Sequence, residues 1–359
     1  MKHNYKIAAI ILGCLFISIH SSFAGNPDRA GQSGATELLI NPWARSSGFA
    51  GSNVAGARGI ESAFTNCSGL AFTKKTELVF SHQLFLQGSG ITLNSLGLSQ
   101  HVGETGALGL TVTSMDFGDL DITTDESPEA GKLGKFSPQF LNIGVGYSKN
   151  FSDDIAGGLM LKVITEKISN VSARGVALDA GIQYTAGKQD QMKFGIALKN
   201  WGPKMKFSGD GLSFKTPVPA ATNGSNTMTV EQRSAQFELP ALLNIGVGYD
   251  IYFEKDSAKL KNNRVTVNAA FTSNSFSKDQ FKIGLEYGWK NILMVRAGYA
   301  LEKGLFKASE RTNVYTGPSA GFTLEVPMNK SKSTFGIDYA YIASHPFQGT
   351  HTLGIRINL

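Results

Sequence analysis

The heptad LNIGVGY occupies residues 141–147 and recurs unchanged at 243–249. Large apolar residues in it alternate with small or polar ones. On a strand, that alternation sends Leu141, Ile143, Val145 and Tyr147 to one face and Asn142, Gly144 and Gly146 to the other. The second copy sets Leu243, Ile245, Val247 and Tyr249 against Asn244, Gly246, Gly248 and Asp250. Variants follow at Phe281–Tyr287 and Phe335–Tyr341, and one precedes at Met192–Leu198. A soluble sandwich would carry Lys, Glu and Thr on its polar face, with few glycines. Glycine weakens a strand unless crowding requires it, and a barrel lumen filled by a plug is such a crowd. Apolar outside, small and polar inside, with aromatics at the rims, is the pattern of a transmembrane β-barrel.

The alternation predicts strands at 76–88, 90–102, 106–116, 138–151, 155–169, 173–186, 190–201, 239–253, 263–274, 279–289, 291–302, 316–327, 332–343 and 348–359. Fourteen is an even number, as a single-chain bacterial barrel requires. The long gaps at 117–137, 202–238 and 303–315 all fall on one side, with short turns on the other. The last strand ends in "GIRINL", with Leu353, Ile355, Ile357 and Leu359 on one face. It resembles the terminal signal read by the outer-membrane insertion machinery, with Leu359 where an aromatic is usual. The expected fold is an all-β, fourteen-stranded antiparallel transmembrane barrel over 76–359. Residues 25–75 lack a long period-two run and are expected to form a partly helical hatch in the lumen. Within them, 25–35 read as disordered and "GIESAFTN" as two helical turns ending at Asn66.

Residues 1–24 read as a signal peptide: Lys2 and Lys6, then an apolar run, then Ser22 and Ala24 before the cut. A lipoprotein box at "ILGC" is the rival reading, disfavoured because apolar Leu15–Phe16–Ile17 follow. Sec export to a Gram-negative outer membrane is the implied route, with membrane lipid as a partner. With Lys+Arg 34 against Asp+Glu 28 and no dense basic stripe, no nucleic-acid partner is expected. Removing the leader takes Cys14 away and leaves Cys67, so no internal disulfide is expected.

Four stretches in order, "LLINPWARSSGFAGSNVA", "AFTNCSGLAF", "KNWGPKMKF" and "LPALLNIGVGYD", resemble the PorV/PorQ family of Bacteroidetes outer-membrane proteins, itself similar in fold to the FadL long-chain fatty-acid transporters. The resemblance covers about 36–359. It implies a role around the type IX secretion system: binding and shuttling secreted cargo that bears C-terminal signal domains, or a translocon or attachment component. It places Asn41, Pro42, Ala44 and Arg45 in a hatch motif and Asn66, Gly69 and Leu70 in a following turn. Asn200, Gly202 and Pro203 would open the long outer loop. The Pro-Ala usual in the family's turn is Cys67-Ser68 here, which implies a softer turn.

The outer loop also carries Met205, Phe207, Leu212 and Phe214. These fit a docking surface or a cap on the barrel. Arg45 is expected to pair with a lumen carboxylate among Asp179, Glu286, Glu325 and Asp338, while Lys162, Lys193, Lys199, Lys282, Arg296 and Arg356 supply inward cations. Such a mixed, plugged lumen disfavours an open ion-selective pore. The acidic loop 117–137 lacks EF-hand spacing, and no HExxH or GxSxG occurs. No catalytic residues, metal or cofactor are therefore expected. The alternative to cargo binding is a FadL-like transporter of hydrophobic small molecules, which needs an apolar lumen track and a kinked wall strand.

Overall fold

Each predicted strand meets its neighbours antiparallel, and the last meets the first. The structure, a computed structural model, describes residues 25–129, 131–218, 226–253, 262–307, 309–328 and 333–359. The expected signal peptide lies outside these residues. The wall strands are Thr76–Phe85 (β1), Ile91–Val102 (β2), Gly106–Asp116 (β3), Gln139–Asn150 (β4), Ile155–Ile168 (β5), Val171–Ala186 (β6), Met192–Trp201 (β7), Leu242–Tyr252 (β8), Asn263–Asn274 (β9), Gln280–Trp289 (β10), Leu293–Glu302 (β11), Tyr315–Pro327 (β12), Thr334–Ser344 (β13) and Thr350–Asn358 (β14). Register runs from Glu77↔Asn358 to Leu84↔His351 where β14 closes on β1. The sheet thus has no free edge in the wall, which is what a lipid setting demands.

The polarity is inverted relative to a soluble protein. Outward Ile182, Leu159 and Ile196 are 58%, 56% and 54% exposed, while Lys193, Asp250, Glu286 and Arg296 are buried inside. An apolar outer belt on a closed barrel with a polar lumen makes this an outer-membrane protein. The outer end, by its long connections, carries 117–138, 202–241 and 303–314. In the longest of these, Met205–Ser208 extends β6 through Phe207↔Ala173, and Ser213–Pro217 pairs with Thr227–Glu231 as a hairpin.

Residues 25–75 fill the lumen. Their regular pieces are short: Ala44–Gly48 (α1), Ser62–Thr65 (α2) and 3₁₀ turns at Thr36–Leu39 and Cys67–Phe72. Asn66 ends α2, and its side-chain oxygen then accepts from the Ser68 N–H at 3.3 Å and the Ser68 hydroxyl at 2.7 Å. The Ser68 hydroxyl thereby ties down a turn that a proline would otherwise stiffen. The expectation of disorder over 25–35 is corrected. Ser33 bridges to Glu238, the Gly34 N–H donates to the Glu238 carbonyl at 3.0 Å, and the Arg29 guanidinium lies 4.3 Å from the centre of the Phe276 ring. A composition reading sees only the segment itself, whereas its partners come from loops far along the chain.

The lumen glycines explain the repeated heptad. Nine of the fourteen strands present a glycine to the hatch: Gly97 to Trp43 and Ile60, Gly109 and Gly146 to Leu70, Gly158 to Cys67, Gly181 to Asn66, Gly195 and Gly246 to Val54 and Ala55, and Gly284 and Gly298 to Phe49. A Cβ on Gly195 would sit 2.7 Å from the Val54 carbonyl oxygen, and one on Gly298 would sit 2.3 Å from the Phe49 carbonyl carbon. These contacts are to hatch backbone, which cannot rotate away as a side chain can. The two heptads therefore serve one purpose against different partners: Gly146 of the first meets Leu70, and Gly246 of the second meets Val54.

Gly298→Ala should destabilise the folded barrel by roughly 1–3 kcal/mol, the usual range for forcing atoms into a filled interior. Gly336→Ala is the control, because the nearest atom to its added Cβ is 3.6 Å away. The midpoint of heat-induced unfolding on electrophoresis should fall for the first and hold for the second. Equal midpoints would remove the crowding argument.

Candidate functional site

The hatch is fastened near the inner end by a charge network. Arg356 on β14, 2% exposed, bonds Glu77 of β1 at 3.0 Å, Asp338 of β13 at 2.7 Å, and Glu61 of the hatch. Glu77 also accepts from the Ile60 N–H at 2.8 Å. Arg45, at the start of α1, bonds Glu325 at 2.9 Å and Asp338 at 3.1 Å. Of the four carboxylates expected for Arg45, Asp179 instead holds Lys162 at 2.5 Å and Glu286 holds Arg264 at 2.6 Å and Arg296 at 2.9 Å. Removing one partner from such a buried network leaves an uncompensated charge, which is strongly destabilising.

Around the network the other hatch-motif residues act through backbone and packing. The Asn41 carboxamide oxygen accepts from the Trp43 N–H at 3.0 Å, and the Asn41 carbonyl accepts from Gln83 at 3.2 Å. The Pro42 carbonyl takes the Ser81 hydroxyl at 2.6 Å. Ala44 and Leu70 are buried. Gly69 lies where a Cβ would meet the Ala57 carbonyl oxygen at 2.1 Å. Asn66 donates to the Val54 and Ile182 carbonyls at 3.1 Å each, which rivets hatch to wall.

The outer-loop candidates divide. Asn200 is buried at a register shift between β6 and β7, with φ 57°. It takes Lys162 at 2.9 Å and donates to the Pro240 carbonyl at 3.1 Å. Gly202 packs on the Val176 carbonyl of β6. Met205 is inside an apolar cluster with Ala35, Leu38 and Leu239, and Phe207 packs against it. Met205 is thus buried under the N-terminal strap 25–40 rather than presented on the loop surface. Pro203 and Phe214 face outward, and Leu212 is half-buried.

Among the described residues, two of the lumen cavities lie on opposite sides of the hatch. The inner one, about 280 Å³, is lined by Arg58, Lys193, Asp250, Arg264, Glu286 and Arg296. The outer one, about 420 Å³, has Phe64, Ala50 and Gly51 in its floor, Leu39 and Ile40 of the strap in its roof, and Leu242, Leu305 and Ile342 in its walls. Lys199 and Lys282 also line it. Lys199 is buried with its ammonium 3.5 Å from the centre of the Phe64 ring. Among the described residues neither lysine has an ion-pair partner. The sequence showed both as inward cations but gave no sign that they would stand apart from the paired ones.

The ladder pairing of the wall breaks beside this chamber. The β11–β12 ladder stops at Tyr299↔Pro318, and β12 slips against β13 between Tyr315 and Ser319. Pro318 offers no N–H, and Gly317 has φ 110°. Ala300, Tyr315 and Gly317 all line the chamber.

At the outer end, Glu37 of the strap is buried. Burial, then the neighbouring Glu166 carboxylate, pushes the Glu37 carboxyl up to about 7, and Asn142 donates to it at 3.4 Å. Between about 4.5 and about 7 the docked strap therefore holds more protons than a released one. Docking is strongest below that window and weakens as pH rises through it.

No family model matches the sequence, and no curated protein matches it. Solved barrels match by shape. The CymD monoaromatic hydrocarbon channel aligns at 13% identity and TM-score 0.53, over 89% of this chain and 97% of that one. The Pseudomonas putida toluene transporter TodX aligns at 10% and 0.50, over 85% and 93%. The chain has the FadL-like barrel fold that these proteins share.

Two outcomes follow from the network and the strap. Arg356→Leu strands buried Glu61 and Glu77, leaves Asp338 with Arg45 alone, and should cost about 3–5 kcal/mol, read as a conductance in planar bilayers above that of the wild type. A spin label at Gln32→Cys should gain mobility between pH 5 and pH 8, and Glu37→Gln should flatten that change. A label insensitive to both would detach Glu37 from strap docking.

Proposed function

We propose that this barrel is an outer-membrane channel for a hydrophobic small molecule bearing an acidic group. The outer chamber carries the reading: a largely apolar cavity lined by Lys199 and Lys282, neither of which has an ion-pair partner among the described residues. An ammonium taken out of water without a counter-charge is costly. A ligand carboxylate supplies the counter-charge, while Phe64, Leu242 and Ile342 cover the apolar body. The two similar solved barrels, a monoaromatic hydrocarbon channel and a toluene transporter, handle cargo of the same apolar class. The hatch, fastened through Arg45 and Arg356, leaves no straight path inward. The break in the β11–β12 ladder is then the exit, from the chamber sideways to lipid. The register shift of β12 against β13 supports this reading as the irregular wall strand that a hydrophobic route requires.

A second reading rests on the family resemblance and on the outer hairpin. Phe214 and Met228 stand exposed on Ser213–Pro217 and Thr227–Glu231. In it the hairpin receives secreted cargo with a C-terminal signal domain, or a type IX translocon component. Gentle detergent pull-down from the native outer membrane separates the two readings. Recovery of such proteins, lost on shortening the hairpin, would favour the second; a lone barrel carrying a lipid-like acid favours the first.

Lys199→Met with Lys282→Met should weaken decanoate binding about 30-fold or more, as expected for removing a buried charge partner. Toluene binding should change little. Calorimetry on the purified barrel reads both, and a decanoate affinity untouched by the double substitution would end the proposal.

A further inference from the structure

The outermost described residue sits in a pocket of its own. The Gly25 nitrogen lies 2.7 Å from Asp279 Oδ2 in the loop between β9 and β10. Asp279 Oδ1 accepts from the Asn274 N–H at 3.2 Å, and the Asn26 N–H donates to the Asn274 carbonyl at 3.4 Å. A Cβ at position 25 would lie 2.6 Å from Asp279 Oδ1 and 2.8 Å from the Ser277 carbonyl oxygen, so only glycine fits. Ser22 and Ala24 put small residues three and one positions before Gly25, where a leader peptidase needs them.

We propose that the chain is cut between Ala24 and Gly25, and that the α-ammonium released is held by Asp279 as a receptor for the mature amino terminus. Hydrolysis by the peptidase adds water across the Ala24–Gly25 amide. The carboxylate leaves on Ala24, and the amine of Gly25 takes up a proton. What was a neutral N–H facing a carboxylate becomes a charged donor, and such hydrogen bonds are roughly twice as strong as neutral ones. The cut therefore tightens the very contact that holds the strap to the rim. A second anchor follows four residues on, where Arg29 pairs with Glu238 at 3.0 Å. Arg29 and Lys204 hold the Glu238 carboxyl below its ordinary range. The strap is thus held at two points of the outer end. The inference stands apart from what that chamber binds.

The test uses the full chain exported to outer membranes. Intact mass should show a mature protein beginning at Gly25. Limited trypsin should then cut after Arg29 slowly, read as the appearance of a chain beginning at Ala30. Asp279→Asn should speed that cut about fivefold to tenfold. A serine inserted between Ala24 and Gly25, with the mature start at the serine verified by mass, turns Gly25 back into a neutral amide. It should speed the cut as much, and combining the two changes should add nothing. A mature chain beginning elsewhere overturns the proposal. So does an insertion that leaves the cut at the wild-type rate, because the amide alone would then account for the contact.

Discussion

The close approach of hatch backbone to wall backbone sets the terms for the rest of the molecule. Where Phe49 meets Gly298 and Val54 meets Gly195, the space for a single methylene is missing. Strand glycines ordinarily cost stability, and here the crowding repays that cost. The hatch is folded by the wall: its helices are four and five residues long and too short to persist alone. Its conformation is the imprint of the lumen.

Onto this fit the charges add direction. The cations and carboxylates near the inner end neutralise one another across hatch and wall, with Arg45 and Arg356 sharing Asp338. At the outer end the contacts are of another kind: apolar packing of Ala35 and Leu38, a buried carboxyl at Glu37, and ion pairs at the solvent edge. The outer contacts are the weaker set, so the strap is the part most able to move. Between the two sets lies the chamber with Lys199 and Lys282, open to motion above and closed below.

Period-two alternation was enough to read the wall. Residues of β3 and β9 fall at the boundaries the alternation predicts, because lipid on one side and a lumen on the other leave each strand position little choice. The hatch was legible as a partly helical segment with helical turns ending at Asn66, but not in its path through the lumen. Arg45 could be seen to need a carboxylate, but the choice of Glu325 and Asp338 over Asp179 and Glu286 depends on where α1 lands in the lumen. The alternation left Met205 open between docking surface and cap; its place inside comes from the strap, whose order was itself invisible: Gly25, Arg29 and Ser33 draw on Asp279, Glu238 and Phe276. The unpaired lysines escaped notice for the same reason, since pairing is a property of three-dimensional neighbours and not of alternation.

Arg356 stands on the last strand, Glu77 on the first, and Glu61 on the plug between them. The guanidinium reaches both carboxylates only after β14 has come alongside β1. Until that seam is zipped, Glu77 lacks this cation; once it is zipped, one guanidinium lies among Glu77, Asp338 and the Glu61 of the hatch. Wall and plug therefore share one fastening: the guanidinium that ties the hatch at Glu61 also spans the closing seam to Glu77.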